Sequence, residues 1–266
     1  MDLHLFTTDC SALDLIGRLP GGDRVVCLVV PENRTGSDKV ARLGAAAGAL
    51  PVRMHRSGSS LDADLPPAEG GIGWLYSQII LAGDLGRYPA GVLNMHGGSI
   101  PEYRGANVLN WTVINGEEEL GVTWHGLVEE VDAGPIWAES RIPIPRDWTA
   151  AELREAMIRE GIRLFPEAWR RFRDGAADPR YPDLGRGRVW PGRKPRDGRI
   201  GPGWPERRVR DMVRALCPPW PPATIKVGDG WIAVSSVLEA PEAGAIPYET
   251  SGNRTVYLRP QSSDGA

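Results

Sequence analysis

No stretch of about 18 consecutive apolar residues occurs in this 266-residue chain, so none has the length of a membrane-spanning helix. The opening run MDLHLFTTDC lacks the basic start and long apolar segment of a secretory signal, which predicts a cytoplasmic protein with no membrane partner. Cysteine is scarce. Cys10, Cys27 and Cys217 are odd in number, far apart and free of any C-x-x-C, which argues against a disulfide framework and a structural zinc site. The histidines His4, His55, His96 and His125 are too few and too scattered to predict a metal centre, and no metal is expected, with His96, His125 and Asp132 the one combination left open. A net charge of −3 gives no general pull toward nucleic acid or anionic lipid. The two common phosphate-binding loops are missing as well. The first turn, TTDCSAL, holds no glycine, and G-x-x-x-x-G-K-[ST] occurs nowhere.

What is present reads as α/β. Residues 2–7 (DLHLFT), 24–30 (RVVCLVV), 51–55 (PVRMH), a short run within 71–80 (GIGWLYSQII) and 91–96 (GVLNMH) have the apolar character of strands covered on both faces. Short helical patterns lie between the early strands, including one over 37–50, and this alternation predicts a doubly wound, Rossmann-like sheet. Downstream the pattern predicts a helix over 105–117, strands over 120–130 and 135–144, and a long amphipathic helix over 148–175. That last helix has Thr149 and Glu152 as a capping box, and Pro166 is expected to kink it or start a new segment. Three parts are expected: a catalytic domain over 1–180, a Pro/Gly/Arg-rich linker over 181–205, and a small β-rich, OB-like C-terminal module over 206–266. The module's hairpin would turn at Gly228-Asp229-Gly230.

One stretch concentrates chemistry: VLNMHGGSIPEYRGANVLNW, Val92 to Trp111. Asn94 and His96, at i and i+2 on a strand, share a face near its carboxyl end, where open α/β sheets bind ligands. Asp132, in the turn VDAG, could come back beside His96, where a carboxylate would orient the imidazole and favour its charged form. An Asn N–H and a His N–H on one face can stabilise an oxyanion, and no Ser or Cys is spaced to be activated by that His, so a nucleophile would come from substrate. On residue types alone, a structural Asn–His pair and a catalytic one both stay open. His125, on an alternating strand, reads as structural. Ten tryptophans are many for this length and suit either pocket walls or an aromatic core.

Four ordered blocks then carry a resemblance: N-M-H-G-G-S-I-P-E-Y-R-G, W-T-V-I-N-G-E, G-V-T-W-H and V-D-A-G-P-I, between Val92 and Ile144. Together they resemble the signature of the 10-formyltetrahydrofolate-dependent formyltransferases, which include methionyl-tRNA formyltransferase and the aminosugar N-formyltransferases. The resemblance is nearest to the formyltransferase half of the bifunctional polymyxin-resistance protein. It implies that Asn94, His96 and Asp132 are catalytic, Asn94 and His96 steadying a tetrahedral intermediate and Asp132 setting the charge of His96. It also implies a folate cleft lined by Gln78, Ile79 and Ile80 and by Val128, Glu129, Glu130, Val131 and Asp132, with the pterin held mainly by backbone groups. The implied co-substrate is 10-formyltetrahydrofolate, or 5-formimidoyltetrahydrofolate for formimidoyl transfer, and the implied partner is a primary amine on a small molecule such as an aminosugar or natural-product intermediate.

Within the family pattern, Ala106 stands where the nearest relative has Arg, which points away from that relative's nucleotide-linked aminosugar. A formyltetrahydrofolate hydrolase and a methionyl-tRNA formyltransferase remain as alternatives. Arg186 to Arg214 holds ten Lys or Arg against three Asp or Glu. Interleaved Pro and Gly and the lack of an aromatic platform make it read as a solvated linker rather than a nucleic-acid surface. A homodimer stays open.

Overall fold

The structure, a computed structural model, describes residues 1–32, 38–48, 50–175 and 179–261. The chain divides into two compact units: Met1–Arg104, Gly121–Arg141 and Ile158–Arg188 form the first, and Gly105–Leu120, Ile142–Met157 and Val189–Ala266 the second.

The first unit is built on strands β1 (Asp2–Thr7), β2 (Arg24–Pro31), β3 (Val52–His55), β4 (Gly70–Trp74) and β5 (Val92–His96). Between them lie helices α1 (Ala12–Ile16), α2 (Asp38–Ala46) and α3 (Ala82–Leu85). After β6 (Tyr103–Gly105) and α4 (Val108–Ile114), strands β7 (Glu119–Gly126) and β8 (Ile136–Pro143) complete a seven-stranded sheet of order β3-β2-β1-β4-β5-β7-β8. The first five strands pair in parallel and β7 runs antiparallel to β5. The order 3-2-1-4-5 reverses between β1 and β4, which makes this a doubly wound, Rossmann-like sheet and puts its ligand crevice outside the carboxyl ends of those strands. Near-continuous apolar runs form these strands because both faces are covered: Leu3, Leu5, Phe6, Leu28, Val30, Leu93 and Trp74 are all essentially inaccessible.

Helix α5 (Ala150–Arg173) follows, and its stripe Leu153, Met157, Phe165, Ala168 and Trp169 is buried. Of the two outcomes expected at Pro166, a new segment does not occur, since the helix is continuous across it. In the turn before that proline the Trp124 indole donates to the Gly161 carbonyl at 2.9 Å, and packing of the apolar stripe outweighs the lost backbone bond. The capping box forms: Glu152 Oε2 accepts from the Thr149 backbone N–H at 2.8 Å.

The second unit contains α4, β9 (Arg188–Trp190), β10 (Arg199–Ile200), α6 (Glu206–Ala215), β11 (Ala223–Val227), β12 (Gly230–Leu238), β13 (Ile246–Glu249) and β14 (Thr255–Pro260). Its five-stranded sheet has the order β10-β11-β12-β14-β13. β11 and β12 form the expected hairpin, with Gly228 at φ 57° in the first position of the two-residue turn. Two expectations shift here. The helix expected from 105 begins only at Val108, because Asn107 takes a left-handed φ of 54° and Gly105 a φ of 98° against the Trp190 carbonyl. Residues 181–205 are not an open strand of chain: β9, a 3₁₀ turn over Pro195–Gly198 and β10 occupy them, the last pairing in parallel with β11. Of the helix expected over 37–50, Asp38–Ala46 is helical, and positions 37 and 49 lie outside the described residues.

Candidate active site

β5 and β7 bring the central residues together. Their antiparallel register sets Asn94 opposite His125 and His96 opposite Thr123. Asn94 and His96 point to one face, as residues two apart on a strand must. The Asn94 Nδ2 lies 3.2 Å from His125 Nε2, and His125 Nδ1 lies 3.0 Å from the Gly126 carbonyl. Donation from Nδ1–H to that carbonyl leaves Nε2 to accept from the Asn94 amide. A Cβ on Gly73, the β4 residue paired with Asn94, would fall 2.2 Å from Asn94 Oδ1, so the amide occupies space that only glycine leaves free.

Asp132 returns on the turn after β7, and its two carboxylate oxygens divide between two imidazoles. Oδ2 is 3.4 Å from His96 Nδ1, and Oδ1 is 3.4 Å from His125 Nε2. The turn is tight: Asp132 itself sits at φ 49°, and a Cβ on Gly134 would come within 1.9 Å of the Gly126 carbonyl. His96 is enclosed, 7 % exposed, and its Nε2 contacts the Tyr103 carbonyl at 2.5 Å. Burial has the largest influence on this imidazole and pushes its pKa below the ordinary value. The Asp132 carboxylate and the Tyr103 carbonyl oppose the shift, and His125 adds to it. Burial thus works against the charged ring that the carboxylate favours, while both ring nitrogens face acceptors, the Asp132 carboxylate at Nδ1 and the Tyr103 carbonyl at Nε2.

The structure therefore groups Asn94, His96 and Asp132, and sets His125, read from the sequence as structural rather than a ligand, against Asn94 because β7 lies directly beside β5. Strand register is what sets His125 against Asn94, and a single sequence does not show it. The segment Gln78–Ile80 makes no hydrogen bond with these four among the described residues. Ile80 turns inward to a cluster with Phe6, Val29, Tyr88 and Val92, whereas Ile79 is 65 % exposed. On the other segment Val128 and Val131 are also exposed apolar side chains, and Glu129 and Glu130 face solvent. Leu127, which leads into that segment, packs on the cluster that holds Ile80. Just ahead of Gln78 the chain takes an uncommon turn, with Leu75 at φ 50°. Strain in a bulky residue at this position was not legible in the sequence. Among the described residues no group of three His, Cys, Asp or Glu is arranged to hold a metal ion, and no helix is long and apolar enough to cross a membrane.

A family model described as formyl transferase matches residues 71–169, which include β4, β5, β7, Asp132 and most of α5. Solved structures with similar folds surround this chain. A 4-N formyltransferase from Francisella tularensis superposes with a TM-score of 0.74 at 16% identity, covering 88% of this chain and 97% of that one. An N-formyltransferase from Helicobacter canadensis, solved with folinic acid and dTDP-3-aminofucose, gives 0.72 at 13%, covering 98% and 99%. HypX from Aquifex aeolicus, solved with tetrahydrofolic acid, gives 0.62 at 18%, covering 97% of this chain and 43% of its own. The chain thus spans less than half of HypX, and at these identities the likenesses establish the fold alone.

Proposed function

We propose that this protein transfers a formyl group from 10-formyltetrahydrofolate to a primary amine on a small molecule, an aminosugar or a natural-product intermediate. On this reading residues 1–180 form the catalytic part, 181–205 connect, and 206–266 form an accessory module. The observation that carries the reading is the Asp132 carboxylate shared between His96 and His125, beside the Asn94 amide, within the stretch matched as formyl transferase.

The residues present suit a folate. The backbone groups of Gln78, Ile79, Ile80, Val128 and Glu129 make no hydrogen bond among the described residues, which leaves donors and acceptors for a pterin edge. Ile79, Val128 and Val131, at 65%, 42% and 36% exposure, offer apolar surface that a flat ring would cover. Val131 and Glu130 belong to the same segment as Asp132, so ligand and carboxylate share one loop. When bound, 10-formyltetrahydrofolate supplies an electrophilic formyl carbon. Asn94, with one amide hydrogen free after its bond to His125, donates to the formyl oxygen as charge collects there in the tetrahedral intermediate. The amine nitrogen would bond to the formyl carbon, the bond from that carbon to N10 of the folate would break, and His96, oriented by Asp132 and Tyr103, would help relay the proton lost by the amine, through water, to N10 as tetrahydrofolate leaves.

The test is a turnover assay with 10-formyltetrahydrofolate and a panel of primary amines and aminosugars, following formylated product by mass spectrometry. Product with an amine supports the reading, and His96→Ala or Asp132→Ala is then expected to cut turnover at least about 100-fold while the protein stays folded. Formate release that needs no amine would replace it with a hydrolase. Turnover only with 5-formimidoyltetrahydrofolate would replace the donor, and turnover only with charged initiator tRNA would replace the acceptor.

A further inference from the structure

Arg104 is buried to 5% exposure at the middle of β6, and stability alone does not account for it there. Its Nη1 donates to Glu130 Oε1 at 2.8 Å and to the Val131 carbonyl at 3.3 Å, while its Nε is buried with no hydrogen-bond partner. The carboxylate that meets it is 58% exposed, so a desolvated guanidinium is matched by a largely hydrated partner and keeps one donor unmet. Such a pairing is poor value for folding. Its geometry is different in kind. Tyr103, the preceding residue, holds His96 Nε2 through its carbonyl, and Arg104 holds the two residues immediately before Asp132. One dipeptide thus holds His96 directly and Asp132 through the two residues before it, next to the position where the backbone is forced to a left-handed φ of 49°. A conformation of that sort persists only where its surroundings over-determine it.

We propose that Arg104 is a positioning residue that sets the His96–Asp132 separation by pinning the Glu130–Val131 turn, an inference that rests on the catalytic reading of that pair. Without the two hydrogen bonds from Nη1 the turn relaxes, and the Asp132 carboxylate moves away from His96 Nδ1. The consequence can be read on His96 directly, without any acceptor. Losing a nearby cation raises a histidine pKa when it acts by charge alone, whereas losing the Asp132 carboxylate lowers it. The two explanations predict opposite signs.

The experiment labels the intact protein with ¹⁵N-histidine, assigns the four ring systems with single His→Gln variants, and follows the His96 titration in wild type, Asp132→Asn, Arg104→Met and Arg104→Lys. Thermal melts establish that each variant is folded. Asp132→Asn is expected to lower the His96 midpoint. Arg104→Met is expected to lower it by at least half as much, and Arg104→Lys, which keeps the charge and reaches one acceptor rather than two, by less. If Arg104→Met does not fold, the fall in Arg104→Lys carries the test. An unchanged or raised midpoint in the folded Arg104 variants, with Asp132→Asn still lowering it, would overturn the positioning role. Were Asp132→Asn to leave His96 unmoved, the His96–Asp132 pair itself would fail, and with it the catalytic reading.

Discussion

Asn94 is placed by a neighbour that has no side chain. Gly73 sits opposite it on β4, and any Cβ there would occupy the position of Asn94 Oδ1. The atom displaced is the far end of a side chain, so Gly73→Ala is expected to fold while swinging the amide off His125. Misplacement of a reacting group by about 1 Å is worth roughly 100-fold in rate. Turnover should fall by about that factor with a melting temperature close to wild type, and unchanged turnover would show that Asn94 has no part in the chemistry. Residue types alone left Asn94, His96 and Asp132 open between a structural and a catalytic reading, and the four ordered blocks from Val92 to Ile144 were what singled them out. His125 was not legible in the same way, since its contact with Asn94 and Asp132 depends on which strand lies beside β5.

At the level of elements, the strands of the first sheet were readable because burial on both faces demands continuous apolar runs, and β1, β2 and β5 fall where those runs lie. Boundaries set by a single backbone torsion were not readable. Nothing in GANVLNW announces that Asn107 takes a left-handed φ and delays α4 to Val108. The local structure within the segment 181–205 was not readable for a related reason. Pro and Gly there shape short pairings such as β10 against β11, which composition cannot tell from an open linker. The capping box of α5 was readable, since Thr-x-x-Glu is a local signal. Thr149→Ala is expected to cost about 1 kcal/mol of stability in chemical denaturation without changing the folded spectrum. A loss near zero would mean that packing of the Leu153–Trp169 stripe alone fixes where the helix starts.

For the molecule as a whole, the doubly wound sheet delivers the candidate site beside its reversal point, between β1 and β4, with β5 one strand farther on. Four of its ten tryptophans serve the interior: Trp74 and Trp124 stack with ring centroids 5.7 Å apart, fully buried, and Trp137 and Trp169 are likewise enclosed. The same enclosure makes the fold sensitive to acid. His4, between the Tyr88 hydroxyl at 2.8 Å and the Pro66 carbonyl at 2.9 Å, has its pKa pushed below the ordinary value, first by burial and further by Arg87, with the Pro66 carbonyl opposing. His96 is pushed the same way. The unfolded chain therefore binds more protons than the folded one once pH drops through about 6.5, and stability should fall from there toward the depressed folded values. Urea midpoints measured from pH 7.5 down to pH 5 check this, with His4→Gln flattening part of the slope. A flat profile would show that these rings are free to protonate in the folded protein.

Folate dependence is the centre of the account, and calorimetric titration of the intact protein with a stable 10-formyltetrahydrofolate analogue tests it most directly. Saturable micromolar binding is predicted, retained in His96→Ala because the ligand-facing segments Gln78–Ile80 and Val128–Val131 are untouched by that change. Well-folded protein that gives no binding heat, and does not protect the analogue in equilibrium dialysis, would contradict the folate reading.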